Sequence, residues 1–293
     1  MSDSTLQQIT EHVYWMPPGE PDRPALCAVV GSEMVVMLDG GASSAHARQF
    51  LEQIELLGVS RPQRVVLTHS HWDHVFGAER VGAEVVAHRW TAQKLMELST
   101  RSWSDAGLDQ QVAQGLESEE VAKNIRVEMP APRTVRIPKP DRIFGDGLVW
   151  SLGGVECRID HVGGDHAADS SVVFLLPDRV LFLGDCLSNA FRAHQPAYTI
   201  GQLIPLLSAL ESFDAVLYVE GHASRVIGRP EFEGDLLKMR NAAEVIQETG
   251  ADEDRAFARY KERVGELPDE DAAFFLRALI VGEMKSHGGK GEE

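Results

Sequence analysis

The stretch "LTHSHWDHVFG", Leu67 to Gly77, places three histidines and an aspartate within six positions. Along an extended backbone residues i and i+2 point the same way, so His69 and His71 can share one metal ion. Asp73 and His74 follow on the turn, within reach of a second ion beside the first. Neutral imidazole nitrogens and carboxylate oxygens suit zinc and related divalent ions. A lone histidine on a strand is more often packed or hydrogen-bonded than ligating. A buried cluster of them without a metal, however, would leave costly unpaired polar atoms.

Three more residues stand further on, each just after an apolar run and close to glycine. They are His166 in "HVGGDHAADSS", Asp185 after "RVLFLG" and His222 after "AVLYVEG". Ligand sites collect in such loops, where the backbone can approach closely. The set is then His69, His71, Asp73, His74, His166, Asp185 and His222. It is too large for one tetrahedral ion and suits two, with Asp185 between them. Two such ions can share a water, bring its pKa toward neutrality and generate a bridging hydroxide that attacks a carbonyl or phosphorus centre. Asp73 is the candidate catalytic residue, orienting that nucleophile or relaying its proton. No serine or cysteine nucleophile is needed. Cys186 adjoins Asp185, but neighbours on an extended chain point opposite ways, so it is expected to be packed.

The elements that must position these groups alternate along the chain. "CAVVGSEMVVMLDGG" (Cys27 to Gly41) reads as two strands around a Gly-Ser turn, and "SAHARQFLEQIELLG" as a helix stopped by Gly58. "RVVLTHSH" reads as a buried strand with the histidines at its C-terminal end, and "AEVVAHRW" as another. A helical insert is expected over residues 91–133. Strands return in "RIFGDGLVWSLGGVECRIDHV", in "SSVVFLLPDRVLFLGD", with a hairpin turn at Pro177-Asp178, and in "DAVLYVEGH". From Glu231 onward the chain reads as acidic helices. Residues 1–230 are expected to form the catalytic domain, with residues 231–293 as a helical extension packed on it.

The sequence has 293 residues, 43% of them hydrophobic, enough for a large core, and a formal net charge of -17. That charge argues against nucleic acid or an anionic membrane surface as partner and leaves a small-molecule substrate. Cys27, Cys157 and Cys186 are odd in number, widely spaced and outside any CxxC pair, as in a reducing compartment. There is no apolar leader in "MSDSTLQQITEHVYW" and no run of roughly 18 apolar residues, so a cytoplasmic protein is expected. The last residues, "SHGGKGEE", read as a frayed tail.

The chain resembles the metallo-β-lactamase-fold hydrolase superfamily. The resemblance rests on "THSHWDH", matching HxHxDH, and on "GGDHAADS", "LFLGD" and "EGH" in the family's order, from roughly Thr10 to Ser224. It implies an α/β fold, an αββα sandwich with the site at one edge of two sheets, here followed by a C-terminal helical tail. It also implies that His69, His71 and His166 hold the first metal, that Asp73, His74 and His222 hold the second, and that Asp185 bridges. Two divalent ions follow, zinc first, with iron or manganese open. Asp39 in "VVMLDGG" resembles the family's strand-end aspartate beneath the site; it either orients a ligand histidine through its other nitrogen or simply opens the Gly-Gly turn.

Departures from subfamilies narrow the reaction. β-Lactamases of the fold lack the bridging aspartate, so a β-lactam is less expected than an ester, thioester or lactone. Hydroxyacylglutathione hydrolases share the motif, but the loop after Asp185, "CLSNAFRAHQPAY", lacks a glycine- and arginine-rich glutathione site. The rival is a mononuclear iron persulfide dioxygenase on the same fold; phosphodiesterase activity is a further alternative. Substrate-pocket candidates are Trp72, Trp103, Phe191, Arg192 and Tyr198, because aromatic side chains in such loops can wall a pocket and Arg192 can pair with a carboxylate or phosphate. His161, His88, His12, His46 and His287 are read as structural or surface residues. The apolar stripe Phe274, Phe275, Leu276, Leu279 and Ile280 can be buried against the chain's own sandwich or across a two-fold interface, leaving monomer and homodimer both open.

Overall fold

Side-chain alternation along the strands divides the interior into three apolar layers. The computed structural model describes residues 5–192 and 194–284, so His287 and the "SHGGKGEE" tail lie outside the described residues. The first sheet follows chain order: β1 (Gln7–Gln8), β2 (Val13–Met16), β3 (Leu26–Val30), β4 (Val35–Leu38), β5 (Arg64–Leu67), β6 (Glu84–His88) and β7 (Arg142–Phe144). β1 to β4 form an antiparallel meander, and β4 to β7 run parallel. Parallel neighbours need crossovers, and helices supply them. These are α1 (Ser44–Leu56), α2 (Trp72–Val75), α3 (Ala78–Val81), α4 (Arg89–Ser99), α5 (Asp105–Ala113) and α6 (Glu119–Glu128).

The second sheet comprises β8 (Gly147–Ser151), β9 (Glu156–His161), β10 (Ser171–Leu176), β11 (Val180–Gly184), β14 (Leu217–Glu220) and β15 (Ile227–Gly228), in spatial order β15-β14-β11-β10-β9-β8. A separate hairpin, β12 (Ala190–Arg192) with β13 (Gln195–Ala197), follows β11. The helices of this half are α7 (Ile200–Glu211), α8 (Arg229–Thr249), α9 (Glu253–Val264) and α10 (Glu270–Met284).

Val36, Leu38, Val66 and Val86 turn inward to meet Val173, Leu175 and Phe182 of the second sheet. Their neighbours Met37, Val65, Leu67 and Val85 turn outward under Phe50, Ile54, Leu95 and Ile125 of the first helical layer. Across the second sheet Phe174, Leu181 and Leu183 turn outward under Leu207, Phe232, Leu276 and Leu279. The architecture is the αββα sandwich. Each fully buried leucine or phenylalanine contributes about 1.5–3 kcal/mol, so both helical layers are anchored mainly by apolar burial. Of the stripe on α10, Leu276, Leu279 and Ile280 are buried, whereas Phe274 is exposed.

Two local features differ from the sequence reading. The strand expected over "AEVVAHRW" ends at His88, because the His88 Nδ1 accepts from the Trp90 N–H and caps α4. α7 was not anticipated: Pro205 within it interrupts the helical pattern, yet Leu203, Leu206, Leu207 and Leu210 bury one face of it. Among the described residues no helix is long and apolar enough to cross a membrane.

Candidate metal centre

The ligand-bearing residues converge on the C-terminal ends of β5, β11 and β14, where strands give way to tight turns. After β5 the chain bends at Thr68 and His69 and is extended again at His71, the residue that opens the single-turn helix α2. The change from extended to helical backbone lets His69 and His71 face one side while Asp73 and His74 face the next. The possible ligand atoms of His69, His71 and His166 all lie within 4.8 Å of one another, and so do those of Asp73, His74, Asp185 and His222. The rings of His69 and His74, one from each group, are 4.2 Å apart.

Asp185 stands at the junction. Its Oδ2 is 3.2 Å from the His74 Nε2, 3.4 Å from the His222 Nε2 and 3.5 Å from the His166 Nε2. The Asp73 Oδ2 is 3.1 Å from the His222 Nε2 and 3.3 Å from the His74 Nε2. Gly221 makes this approach sterically allowed: a Cβ there would fall 2.0 Å from the Asp185 Oδ1 and 3.1 Å from the His74 Cε1.

Hydrogen bonds on the outer nitrogens fix which face each imidazole presents. The His74 Nδ1 donates to the Asp39 Oδ2 at 2.7 Å. The His69 Nδ1 pairs at 3.1 Å with the Thr68 hydroxyl, which itself donates to Asp39. The His166 Nδ1 faces the Asn189 carbonyl at 3.4 Å. For His69 and His166 this leaves the Nε2 unpartnered, and the His74 Nε2 faces Asp185. Asp39 accepts the His74 bond from a left-handed backbone with φ of 60°.

The donor set fits divalent ions on an observation independent of the motif. The His69 Nε2, the His166 Nε2 and the Asp185 Oδ1 are buried and have no hydrogen-bond partner. Orphaned buried donors and acceptors are costly, and all three belong to the proposed ligand residues. Charge separates the two groups. Burial, then the neighbouring His74 and His71, lowers the His69 pKa well below the usual range, and burial with His166 lowers His71 to about 4. For His74 burial works the other way but is outweighed by Asp185, Asp73 and Asp39, which raise it. Burial is likewise outweighed at His222, where hydrogen bonds to Asp185 and Asp73 raise it to about 10. Against the opposing effect of burial, His74 and His222 hold Asp73 and Asp185 below the usual carboxylate range. The second group therefore favours positive charge beside its carboxylates, which a divalent ion would supply.

Two residues at the centre were not singled out from sequence. Thr68 links Asp39 to His69; strict strand alternation assigns it to the opposite face. Asp22 places its Oδ1 3.7 Å from the His222 Nδ1 and accepts from Asn124; nothing in "PGEPDRP" signals this.

Of the pocket candidates, Tyr198 lines a cavity of about 440 Å³ that Asp185 and His222 border. Trp72 and Trp103 are buried on either side of Phe76, at 6.0 Å and 4.7 Å, within the first helical layer. Phe191 is exposed on β12, and the Arg192 guanidinium donates to the Gly282 carbonyl of α10. The cavity's far wall comes from α8 and α10, through Phe232, Asp235, Met239 and Phe275. Burial, with Asp235 and Asp185 adding to it, pushes the Glu220 carboxyl on the same wall up to about 7. Cys186 is packed in the outer core, and burial holds its thiol protonated. Of the remaining histidines, His46 accepts from the Ala42 N–H, His88 stacks on His161 at 4.0 Å, and His12 pairs with Asp178.

Residues 21–226 match the family model of the metallo-β-lactamase superfamily, and the chain belongs to that superfamily. Solved structures share the fold at low identity. A metallo-β-lactamase from Pontibacter korlensis is 19% identical with a TM-score of 0.54, covering 79% of this chain and 96% of that one. The stereoselective inverting sec-alkylsulfatase Pisa1 from Pseudomonas sp. is 16% identical with a TM-score of 0.65; the match covers 94% of this chain but 49% of the sulfatase. A metallo-β-lactamase motif mutant from Cronobacter sakazakii is 15% identical with a TM-score of 0.54, covering 97% of this chain and 93% of that one. No curated protein matches the sequence.

Proposed function

We propose that the chain is a dinuclear metal-dependent hydrolase that cleaves an ester, thioester or lactone bond of a small molecule. The observation that carries this reading is the Asp185 Oδ2, which stands within 3.5 Å of imidazoles from both histidine groups. His69, His71 and His166 would hold one ion, Asp73, His74 and His222 the other, and Asp185 would serve both. Two divalent ions bound there would acidify a water and polarise the scissile carbonyl. Zinc fits the donors first, and iron and manganese take the same ones.

The chain's own groups do the positioning. Asp39 and Thr68 hold the His74 and His69 rings with Nε2 inward, so the site is organised before substrate arrives. The Asp73 Oδ2 points into the centre and would accept the proton of the attacking water. The cavity between the centre and the helices α8 and α10 would receive the substrate, and Phe232 and Phe275 would exclude bulk water from it. Three buried, unbridged cysteines fit a cytoplasmic setting.

Metal content per chain, measured by mass spectrometry on protein purified without added metal, tests the reading together with a panel of esters, thioesters and lactones. A sulfate ester and a β-lactam belong in the panel because structural neighbours are named for those substrates. About two divalent ions and hydrolysis of a carboxylic ester, thioester or lactone are expected. About one iron, with oxygen uptake on thiols and no hydrolysis, would replace it with a thiol dioxygenase.

A further inference from the structure

Thr199 occupies the N-cap position of α7, where a threonine hydroxyl ordinarily accepts from the free amides of its own helix. Here it makes no such bond. Its hydroxyl donates instead to the Asp165 Oδ1 at 2.8 Å, and its N–H donates to the Asp165 Oδ2 at 2.8 Å. The first amide of α7, the Ile200 N–H, donates to the Glu283 Oε1 of α10 at 3.0 Å. The capping hydroxyl thus binds the residue directly before His166, and a side chain of the last helix caps α7 in its place.

α10 holds the same region at three further points. The Tyr198 N–H donates to the Ala278 carbonyl at 3.0 Å, and the Arg192 guanidinium to the Gly282 carbonyl at 3.0 Å. At Gly282 the helix lies so close to Tyr198 that a Cβ would fall 1.8 Å from the Tyr198 carbonyl oxygen. The same region also meets the His166 ring. The Tyr198 hydroxyl donates to the Leu187 carbonyl at 2.7 Å, and the Asn189 carbonyl faces the His166 Nδ1 at 3.4 Å. His166 is therefore reached twice, through Asn189 at its ring and through Thr199 at its backbone neighbour. α10 itself lies outside residues 21–226, the part of the chain that matches the superfamily.

Resting on the dinuclear reading above, we propose that Thr199 and α10 are positioning elements for the first metal site: they fix the hairpin β12–β13 and its flanks, which through Asp165 and Asn189 hold His166 toward His69 and His71. Thr199, Gly282 and Glu283 supply no ligand atom and act only through these contacts. His69 and His71 come from the turn after β5, so the support is specific to the ligand that the second sheet adds. The group of Asp73, His74 and His222 makes none of these contacts, and its affinity for metal does not depend on them.

Calorimetric titration of the metal-free full chain with zinc reads the two sites as separate steps, and His71→Ala identifies the first by removing it. Gly282→Ala forces α10 away from Tyr198, and Thr199→Val removes one donor to Asp165 at nearly the same side-chain shape. Each is expected to weaken the first step about tenfold and to leave the second at the parent value. Thr199→Ser returns the hydroxyl and should restore the first step. Leu276→Ala, which loses buried apolar contact on the same helix, controls for stability alone: it should lower Tm and leave both steps unchanged. If Gly282→Ala folds poorly by circular dichroism, the two Thr199 variants decide. A first step unchanged in a folded variant, not restored by Thr199→Ser, or weakened as much by Leu276→Ala overturns the inference. A single step in the parent that His71→Ala removes counts against the dinuclear reading, and the same variants then decide the inference at that step. A parent with no step that His71→Ala removes overturns both.

Discussion

The two sheets contribute to the centre in different ways. The first supplies His69, His71, Asp73 and His74 from one turn after β5, with Asp39 bracing them from the end of β4. The second supplies His166, Asp185 and His222 from three separate loops. One half of the site is thus encoded locally, by a change from extended to helical backbone within a few residues. The other half exists only when β11 and β14 lie side by side in parallel register. Damage to the first should stay local, whereas damage to the second should spread across the centre.

The largest effect is expected at the point where the halves meet. Asp185→Ala removes the carboxylate that faces His74, His166 and His222 together. Metal should be lost from both groups and hydrolysis should fall to background, read by mass spectrometry and by rate on the same preparation. Retention of one ion with substantial turnover would mean that the first sheet makes a working site alone, and the comparison would fail.

A smaller effect tests the close packing of the second half. In Gly221→Ala the new Cβ would sit 2.0 Å from the Asp185 Oδ1, so Asp185 or the strand must move. The overpacking should cost about 1–3 kcal/mol of stability and weaken metal binding in calorimetric titration. Gly234→Ala on α8 is the control: its Cβ would meet nothing within 4 Å, and the helix should gain about 1 kcal/mol. Similar metal affinity in the two variants would show that the approach at Gly221 has slack.

The same contrast governs what could be read from sequence. "THSHWDH" announces itself because its ligands are neighbours in the chain. His166, Asp185 and His222 were found from strand-end position and from their order in a family pattern, not from spacing to one another. Thr68 and Asp39 act through hydrogen bonds to ring nitrogens, and only Asp39 had a family counterpart to suggest it. The pocket was the least legible part. Trp72 and Trp103 had the right chemistry but went to the core, where large apolar surfaces gain most, while the wall came from α8 and α10. Which face of a distant helix returns to a strand end is a tertiary fact, and no local pattern near Asp185 encodes it. Pro205 hid α7 for a related reason: the burial that stabilises it comes from other elements.

The smallest effect separates holding the sheets together from building the centre. Asp178 lies in the β10–β11 turn, at the end of β11 opposite Asp185, and accepts from the backbone and ring of His12 beside the first sheet. Burial alone would raise its pKa, but hydrogen bonds outweigh burial and lower it. The folded value therefore lies below the unfolded one, so the contact stabilises the protein above the unfolded carboxylate range, near pH 4, and is lost as pH falls through the folded value. Asp178→Asn should cost about 1 kcal/mol at pH 7, roughly 2 °C in Tm. The gap to the parent should narrow as melts are run toward pH 3, and metal content at pH 7 should stay that of the parent. A gap that does not change with pH would assign the contact to shape rather than charge. A drop in metal content would show that the far end of the sandwich sets the register on which Asp185 and His222 depend, which would extend the tertiary half of the site along the whole of β11.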